Sequence, residues 1–407
     1  MKNVILSLLF ASSLSITGCN SDSSVPVESK KLTYINENSI NSNKEKILNA
    51  EPLYVSALDN IVISADKALA SDANPVTNKP TPGPSGNLHD YLSIGPYWWP
   101  DPDKEDGLPW IRKDGEVNPM TRGNNTDQQR TSTLLTNLDN LNLAYIYTEQ
   151  VHYLEKVRDL LDIWLVSIDT KMNPHLNYAQ GVPGDSTGRC FGIIELSQVS
   201  SIVTSVELIK KAGIASDEFI IASQQWLTDY LTWLETSELG IEESTRENNH
   251  GTWYDVQVLG LMIHLNQIDA AEAYAQNFKT NRIEAQIEPD GSQPHELSRT
   301  KSINYSSMNL EAFLKVADLS KRIDVDLLEY NGKDGESIRL AAEFMIPYVE
   351  GEKEWEYEQI GDNTEAFNKK TIPALFIANA IFEDKIASET LLDERSEYIG
   401  ASKVLSF

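Results

Sequence analysis

The sequence is poor in cysteine, in basic residues and in metal-binding motifs. Its 407 residues contain two cysteines, so a disulfide framework does not hold the fold together. Lysine and arginine number 34 against 61 aspartates and glutamates, which gives a formal net charge of -27. Nucleic-acid affinity depends on basic side chains that displace counterions, so this balance excludes a general nucleic-acid binder. The six histidines are scattered and form no HExxH motif, and the sequence predicts neither a metal site nor a cofactor.

Hydrophobic and aromatic residues are plentiful enough for a packed core. Hydrophobic residues make up 41% of the chain, which includes 8 tryptophans, 16 tyrosines and 10 phenylalanines. Disordered chains have few aromatic residues and low hydrophobicity, so this composition indicates a globular protein. The length is compatible with two or three domains at about 150 residues per domain, but large closed folds exceed that size. We predict one globular domain over residues 47–407.

The amino terminus has the pattern of a secretory signal. Lys2 precedes an apolar stretch that ends near Ile16 and is too short to span a bilayer, which needs about 20 helical residues. The residues that lead up to Cys19 resemble the bacterial lipobox, in which the cysteine is lipidated. We predict a signal peptide over residues 1–18 and a lipid anchor at Cys19 as the only membrane contact. This places the protein in the bacterial cell envelope, at the outer membrane. Residues 19–46 lack a helical or strand period and are typical of a flexible tether.

A helical period dominates the rest of the chain. Apolar residues recur at spacings that line one helix face, in the sets Leu134, Leu138, Leu141, Tyr145; Leu154, Val157, Leu161, Trp164; and Trp226, Tyr230, Trp233, Leu234. Further helices are predicted near 49–70, 191–212, 252–266, 268–286, 305–322, 336–349 and 370–382. Few segments alternate as strands do, so the fold class is predicted to be all-α.

The longest predicted loop covers residues 71–126 and contains nine of the 17 prolines. A stretch of this length inside a compact domain is typical of a functional loop. Its aromatic residues are Tyr97, Trp98, Trp99 and Trp110 together with Tyr91. Adjacent aromatic rings on a proline-rich loop can stack on sugar rings, whose C–H faces are apolar. The alternative is a plug that packs against the helices, because aromatic side chains are common in cores.

Five ordered motifs between about Leu88 and Leu319 together carry a family resemblance. They are HDYLSIGPYWWPDP, GLPWIRKDG, NPHLNYAQGVPG, NNHGTWYDVQ and ELSRTKSINYSSMNL. These motifs resemble those of the alginate lyase superfamily of bacterial polysaccharide lyases, most closely family 38 and more distantly family 5. The resemblance implies an incomplete (α/α) toroid of about six or seven helical hairpins with long active-site loops. It also implies cleavage of an acidic 4-linked uronate polysaccharide, alginate first, by β-elimination that leaves unsaturated uronate ends.

β-Elimination removes the C5 proton of a uronate while the 4-linked oxygen leaves. Donors at the neighbouring carboxylate stabilise the charge that develops. By resemblance, Asn249 and His250 match an Asn-His pair that contacts this carboxylate, with Asn248 as the alternative amide. Arg299 lies nearby, and Tyr305 matches a tyrosine that serves as base and acid in syn elimination. His250 is the alternative base when the C5 proton lies on the opposite face. The same resemblance gives as substrate-binding residues Tyr97, Trp98, Trp99, His175, Gln180, Asn248 and Arg189.

Two physical expectations accompany this assignment. A free tyrosine has a pKa of about 10, and an adjacent cation favours the phenolate, so we expect Arg299 to lower the pKa of Tyr305. An acidic polymer also requires basic residues concentrated in the cleft of a chain with a net charge of -27. The candidates for this positive cleft are Arg112, Lys113, Arg189, Arg299 and Lys301.

Other functions remain open at the level of the sequence. Glucuronan or another glucuronate polymer is the alternative substrate, because the same C5 chemistry serves it. A glycoside hydrolase on the same architecture could use two carboxylates such as Asp90 and Glu296. A non-catalytic glycan-binding lipoprotein would require only the tether and the aromatic loop.

Overall fold

The computed structural model describes residues 31–407, which are mainly helical. The α-helices are α1 (Glu37–Leu48), α2 (Pro52–Ala70), α3 (Gln128–Thr148), α4 (Val151–Leu161), α5 (Val199–Ala212), α6 (Asp217–Thr236), α7 (Glu238–Ser244), α8 (Asn249–His264), α9 (Ile268–Phe278), α10 (Glu284–Gln286), α11 (Pro294–Leu297), α12 (Ser302–Lys321), α13 (Ile338–Val349), α14 (Asn363–Ala366), α15 (Ile372–Ile381), α16 (Glu389–Glu394) and α17 (Ala401–Ser406). The strands are short: β1 (Leu92–Ile94), β2 (Trp98–Trp99), β3 (Ile111–Arg112) and β4 (Tyr178–Gly181). The prediction of an all-α fold is confirmed.

The helices pack in the order expected for a ring of helical pairs. Helix α3 packs on α2, α4 and α5, α5 packs on α8, and α8 packs on α12. Helix α12 in turn packs on α13 and α15, and the C-terminal α17 returns to α2 and α3. Each helix can therefore bury its apolar face against its neighbours in the ring.

Helix α8 lies in the interior of this arrangement. Fourteen of its sixteen residues are buried, so the helix carries no polar face toward solvent. The ring of Tyr34 packs directly against Gly260, where a Cβ atom would lie only 1.8 Å from the tyrosine hydroxyl. Helix α12 is buried along most of its length as well. The first turns of α8 and α12 hold His250 and Tyr305, so two largely buried helices position the candidate site.

The folded part of the chain begins earlier than predicted. Leu32 and Ile35 are buried, and α1 starts at Glu37, whereas the sequence predicted a flexible tether up to residue 46. The Tyr34 hydroxyl also donates a hydrogen bond to the carbonyl oxygen of Val256 at 3.1 Å. The error arose because the few apolar residues here pack through long-range contacts and not through a local period. The predicted signal peptide, the lipid anchor at Cys19 and the first part of the tether lie outside the described residues and stay predictions.

The long loop between α2 and α3 is ordered by two small sheets. Strand β1 pairs in parallel with β4, and β2 pairs antiparallel with β3, in a register that places Trp98 opposite Arg112. These pairings hold the aromatic segment against the helices. Cys190, which follows β4, is buried and free. Within residues 31–407 no single helix is long and apolar enough to cross a membrane, although the bent pair Cys190–Leu196 and Val199–Ala212 meets that criterion by length and composition alone.

Candidate active site

A cleft of about 900 Å³ opens where the first turns of α8 and α12 meet the long loop. Its walls combine aromatic, basic and histidine side chains with few acids. The lining residues are Pro96, Tyr97, Trp98, Arg112, Asp114, Gln180, Arg189, Phe191, Ile194, Arg246, Glu247, Asn248, Asn249, His250, His295, Ser298, Arg299, Tyr305 and Met308. The first turns of α8 and α12 both contribute side chains to this cleft, His250 from α8 and Tyr305 from α12.

A buried glutamate orients His250. The Nδ1 atom of the imidazole lies 2.7 Å from Oε1 of Glu243, whose side chain is fully buried at the end of α7. A neutral His250 therefore carries its proton on Nδ1 and donates it to Glu243, which leaves Nε2 with a free lone pair. Phe191 packs its ring edge-on against the imidazole, with ring centroids 4.9 Å apart. These contacts fix the ring and leave Nε2 as the nitrogen available for proton transfer.

The two asparagines before His250 have different surroundings. Asn249 is fully buried, and its Nδ2 donates at 3.0 Å to both carboxylate oxygens of Glu296. Its amide donors are therefore not free to contact a substrate carboxylate, contrary to the prediction. Asn248 caps α8, because its side-chain oxygen accepts the backbone N–H of His250, and its Nδ2 forms no hydrogen bond within residues 31–407. Asn248, the alternative from the sequence, is the better-placed donor.

Arg299 is held by a carboxylate from the long loop. Its Nε and Nη2 atoms donate to the two oxygens of Asp114 at 3.2 and 2.9 Å, and the Thr300 hydroxyl donates to the same carboxylate at 3.0 Å. Burial opposes ionisation of Asp114, but the hydrogen bonds and charge of Arg299 outweigh it and lower the pKa of Asp114 to about 2. The pair therefore fixes one side of the guanidinium, and Nη1 stays without a protein partner in the described part of the chain.

The surroundings of Tyr305 favour its protonated form. Its hydroxyl lies 2.7 Å from the hydroxyl of Tyr97, and the guanidinium of Arg299 stacks over its ring, 3.8 Å from the ring centroid. Burial and the contact with Tyr97 raise the pKa of Tyr305 well above its ordinary value, and Arg299 offsets only part of this shift. Arg299 therefore acts in the expected direction, but desolvation of the hydroxyl and its contact with Tyr97 outweigh it, so the net shift of the pKa is upward.

Arginines and aromatic rings alternate along the opposite wall. The guanidinium of Arg189 lies 5.2 Å from the ring centroid of Trp98 and 5.1 Å from that of Phe191. Arg246 covers Phe191 at 4.5 Å and donates to the Sγ atom of Cys190 at 3.2 Å. Arg189 also donates to the backbone oxygen of Gln180, at 2.8 Å. Such stacking holds the charges in fixed positions at the cleft surface.

The predicted positive cleft is present in part. Arg112, Arg189 and Arg299 line it as expected, and Arg246 adds a fourth arginine that the sequence analysis missed. Lys113 instead stacks over the ring of Trp99 outside the cleft. The acids in the lining are Asp114 and Glu247 alone among the described residues, in a chain whose net charge is -27. The positive charge is therefore concentrated here.

Two predicted substrate-binding residues do not line the cleft. His175 pairs through Nε2 with Asp90 at 3.1 Å, in a turn that Asn173 also fastens to the same carboxylate. Trp99 lies next to Trp98 on strand β2, and neighbouring residues on a strand point to opposite faces. Its indole N–H donates to the backbone oxygen of Glu116. Tyr97, Trp98, Gln180, Asn248 and Arg189 do line the cleft.

The carboxylate pair of a glycoside hydrolase is also not present in the cleft. Asp90 is buried against His175, and Glu296 is buried beneath Asn249, where its Oε1 also accepts the backbone N–H of that residue. Burial raises the pKa of Glu296, although its hydrogen bonds with Asn249 oppose the shift. Glu296 therefore holds the first turn of α8 in place and does not face a bound polymer.

The Asp114–Arg299 pair predicts a pH-dependent contribution to stability. Asp114→Asn is expected to lower the free energy of unfolding by about 1 kcal/mol at pH 7, since the side chain is only 21% exposed and water screens part of the interaction. Because the folded pKa lies below the unfolded value of about 3.9, this contribution is complete at neutral pH and is lost as the pH falls toward 2. Urea unfolding of both proteins at pH 7 and pH 3 measures it, with exposed Asp103→Asn as the control. A difference that stays constant or grows at pH 3 would contradict the pairing.

The family comparison agrees with this geometry. The family model described as alginate lyase matches residues 75–355, well over half of the chain. The chain belongs to the alginate lyase family. It is therefore an enzyme of that family, and the matched range includes the cleft-lining residues described above.

Solved alginate lyases share the fold. The crystal structure of an alginate lyase from Bacteroides ovatus matches with a TM-score of 0.85 and 33% identity, over 92% of this chain and 98% of that one. Alginate lyase A1-III from Sphingomonas species A1 matches with a TM-score of 0.56 and 18% identity, over 93% and 97% of the two chains. A histidine-to-alanine variant of A1-III complexed with a tetrasaccharide matches with a TM-score of 0.57 and 18% identity, over 94% of this chain and 97% of that one. These matches confirm the (α/α) toroid. No curated protein sequence matches significantly.

Three residues in or directly behind the cleft of this alginate lyase family member escaped the sequence analysis. Asp114 is the next-to-last residue of the motif GLPWIRKDG, but nothing in the sequence pairs it with Arg299. Glu243 lies seven residues before His250 in a segment rich in glutamate, where no pattern marks one acid as buried. Arg246 is the third, and its proximity to the NNH motif was the available signal. Within residues 31–407 no group of His, Cys, Asp and Glu side chains could hold a metal ion.

Proposed function

We propose that this enzyme cleaves 4-linked uronate polymers by β-elimination and that alginate is its substrate. The observation that carries the proposal is the arginine-lined cleft that joins His250 to Tyr305 in an otherwise acidic chain. A polymer with one carboxylate on each sugar matches a row of fixed guanidinium groups. The similar protein from Bacteroides ovatus is described as an alginate lyase, and the A1-III variant is complexed with a tetrasaccharide.

Neutralising the uronate carboxylate is the first requirement of the reaction. The C5 proton is only weakly acidic, and donors at the carboxylate stabilise the enolate-like charge as the proton leaves. Arg299 offers Nη1, because Asp114 occupies only its other two donor nitrogens. Asn248 offers Nδ2 from the start of α8. Both groups are held by protein contacts before substrate binds, so little reorganisation is needed.

Proton transfer then requires a base at C5 and an acid at the leaving oxygen. His250 is suited to the first role, since its Nδ1–H is engaged by Glu243 and Nε2 is unprotonated in the neutral ring. Tyr305 is suited to the second role, since its raised pKa keeps the phenol protonated at neutral pH. When the C5 proton and the leaving oxygen are on the same face, Tyr305 must first release its proton to water; the phenolate then takes the C5 proton and donates it to the leaving oxygen.

A panel of uronate polymers tests the proposal. We expect purified protein to release products from alginate that absorb ultraviolet light through a conjugated double bond, with glucuronan as the second substrate to examine. Chondroitin, whose uronates alternate with amino sugars, serves as the comparison polymer. New reducing ends without ultraviolet absorbance would indicate hydrolysis, and binding without product would indicate a glycan-binding protein. Either outcome would overturn the proposal.

A further inference from the structure

A second cavity adjoins the cleft at the contact between Tyr97 and Tyr305. Its volume is about 720 Å³, and these two tyrosines and Met308 line both cavities. Cavities of about 300–1,000 Å³ enclose ligands of drug size, so each of the two can hold sugar rings. We name the second cavity the lysine chamber, because four lysines line it: Lys301, Lys369, Lys370 and Lys403.

The charges at the lysine chamber are predominantly positive. Its acids, within the described residues, are Asp139 and Glu311. Lys403 donates to Glu311 at 2.7 Å, so that acid is already neutralised inside the structure. Burial raises the pKa of Asp139 and so favours its uncharged form. Lys301 and Lys370 form no ion pair within residues 31–407. The chamber therefore has two cations available for a ligand.

Uncharged polar side chains form the remaining polar surface of the lysine chamber. The side chains of Asn304, Ser307 and Ser402 are hydrogen-bonded within the structure. A second group comes from α2, α3 and the segment before α5, namely Asn60, Ser64, Thr136, Asn140 and Gln198. Their side chains form no hydrogen bonds with other groups in the described part of the chain. Hydroxyl and amide groups pair with sugar hydroxyls, and lysines pair with carboxylates. The amides and hydroxyls without protein partners, together with the lysines, therefore match the hydroxyls and the carboxylate of a uronate.

We propose that the lysine chamber binds the uronate residues on one side of the cleaved bond while the arginine-lined cleft binds those on the other side. This inference rests on the function proposed above. A polymer that occupies both cavities must pass Tyr305, which lines each of them, so the bond beside the tyrosine has bound sugars in both directions. An enzyme that binds sugars on both sides of the cleaved bond favours cleavage inside a long polysaccharide over cleavage at the end of the polysaccharide.

The test measures KM for alginate fractions of different lengths, using a double variant of the two unpaired lysines. Lys301→Ala combined with Lys370→Ala is expected to raise KM for long alginate by about tenfold, since each exposed ion pair contributes modestly. The ratio of variant KM to wild-type KM should fall as alginate fractions become shorter, and it should shrink with added salt. The matched control is Lys210→Ala with Lys333→Ala, two exposed lysines outside the described cavities. Thermal unfolding of each variant verifies the fold.

The KM measurements either support or overturn the proposed role of the lysine chamber. A KM ratio that grows with chain length supports the lysine chamber as a binding site. The same ratio at all lengths, or values equal to those of the control variant, would overturn it. Calorimetric binding of long alginate to the same variants separates the two proposals. If wild-type protein binds alginate through the lysines but yields no unsaturated product, the proposed function fails and the chamber stands. If the lysine variant binds as tightly as wild type, the chamber fails by itself.

Discussion

Replacing Tyr305 with phenylalanine is expected to lower kcat on alginate by about 10²–10⁴-fold while the protein stays folded. The change removes one hydroxyl, whose hydrogen-bond partner among the described residues is the hydroxyl of Tyr97. Because burial keeps the phenol protonated, the lost group is the proton donor that the leaving oxygen requires. The stacking of Arg299 on the ring does not depend on the hydroxyl and should persist. Initial rates of ultraviolet absorbance on alginate measure the loss.

Tyr145→Phe is the matched control for this experiment. Tyr145 lies on α3, and its hydroxyl forms no hydrogen bond with other groups of residues 31–407. It should keep wild-type kcat, and both variants should unfold within a few degrees of the wild-type protein. Near-normal turnover by Tyr305→Phe would remove the phenol from the proposed mechanism. A large loss in Tyr145→Phe would show that the assay reports on stability.

Local periodicity explains why the helices could be predicted from the sequence. Leu134, Leu138 and Leu141 share a helix face, and all three are buried in α3. Ordering of the chain around Leu32 could not be predicted in the same way, because it depends on contacts with residues far away in sequence. Thr33, for example, donates to Glu207 on α5. Such contacts leave no periodic signal.

The sequence motifs predicted which residues meet at the candidate site. They did not predict the contacts that these side chains make in the folded protein. His250, Arg299 and Tyr305 do meet at one cleft. The motifs could not reveal that Asn249 turns inward to Glu296. They also could not give the sign of the pKa shift of Tyr305, since that sign is set by burial of the hydroxyl and its contact with Tyr97, which outweigh Arg299.

The opposition between a net charge of -27 and an acidic substrate is resolved by where the charges lie. Four arginines line the cleft, and unpaired lysines line the adjoining chamber. At physiological salt, charges more than about 8 Å apart are strongly screened, so acids on remote faces do little to repel a polymer in the cleft. The acidic surface instead favours solubility and disfavours other polyanions elsewhere on the protein.

His250→Ala is expected to lower kcat on guluronate-rich alginate by about 10²–10⁴-fold and to have a smaller effect on mannuronate-rich alginate. In guluronate the C5 proton and the 4-linked oxygen are anti, so a base and an acid must act from opposite faces. His250 on α8 and Tyr305 on α12 supply one group each, the first with Nδ1 hydrogen-bonded to Glu243 and the second with a pKa that burial raises. In mannuronate the C5 proton and the 4-linked oxygen are syn, so Tyr305 alone can reach both of these atoms.

Initial rates on the two polymer fractions, measured at equal uronate concentration, give the ratio that this stereochemistry predicts. His152→Ala is the control, because His152 is exposed on α4 and lies outside the described cavities, and it should leave both rates unchanged. Added imidazole should restore part of the rate on the guluronate-rich fraction, since it can enter the space left by the side chain and accept the C5 proton. Equal losses of rate on both fractions would instead indicate that His250 contacts the uronate carboxylate in both polymers and is not the base. Retention of full activity on the guluronate-rich fraction would exclude it as the base.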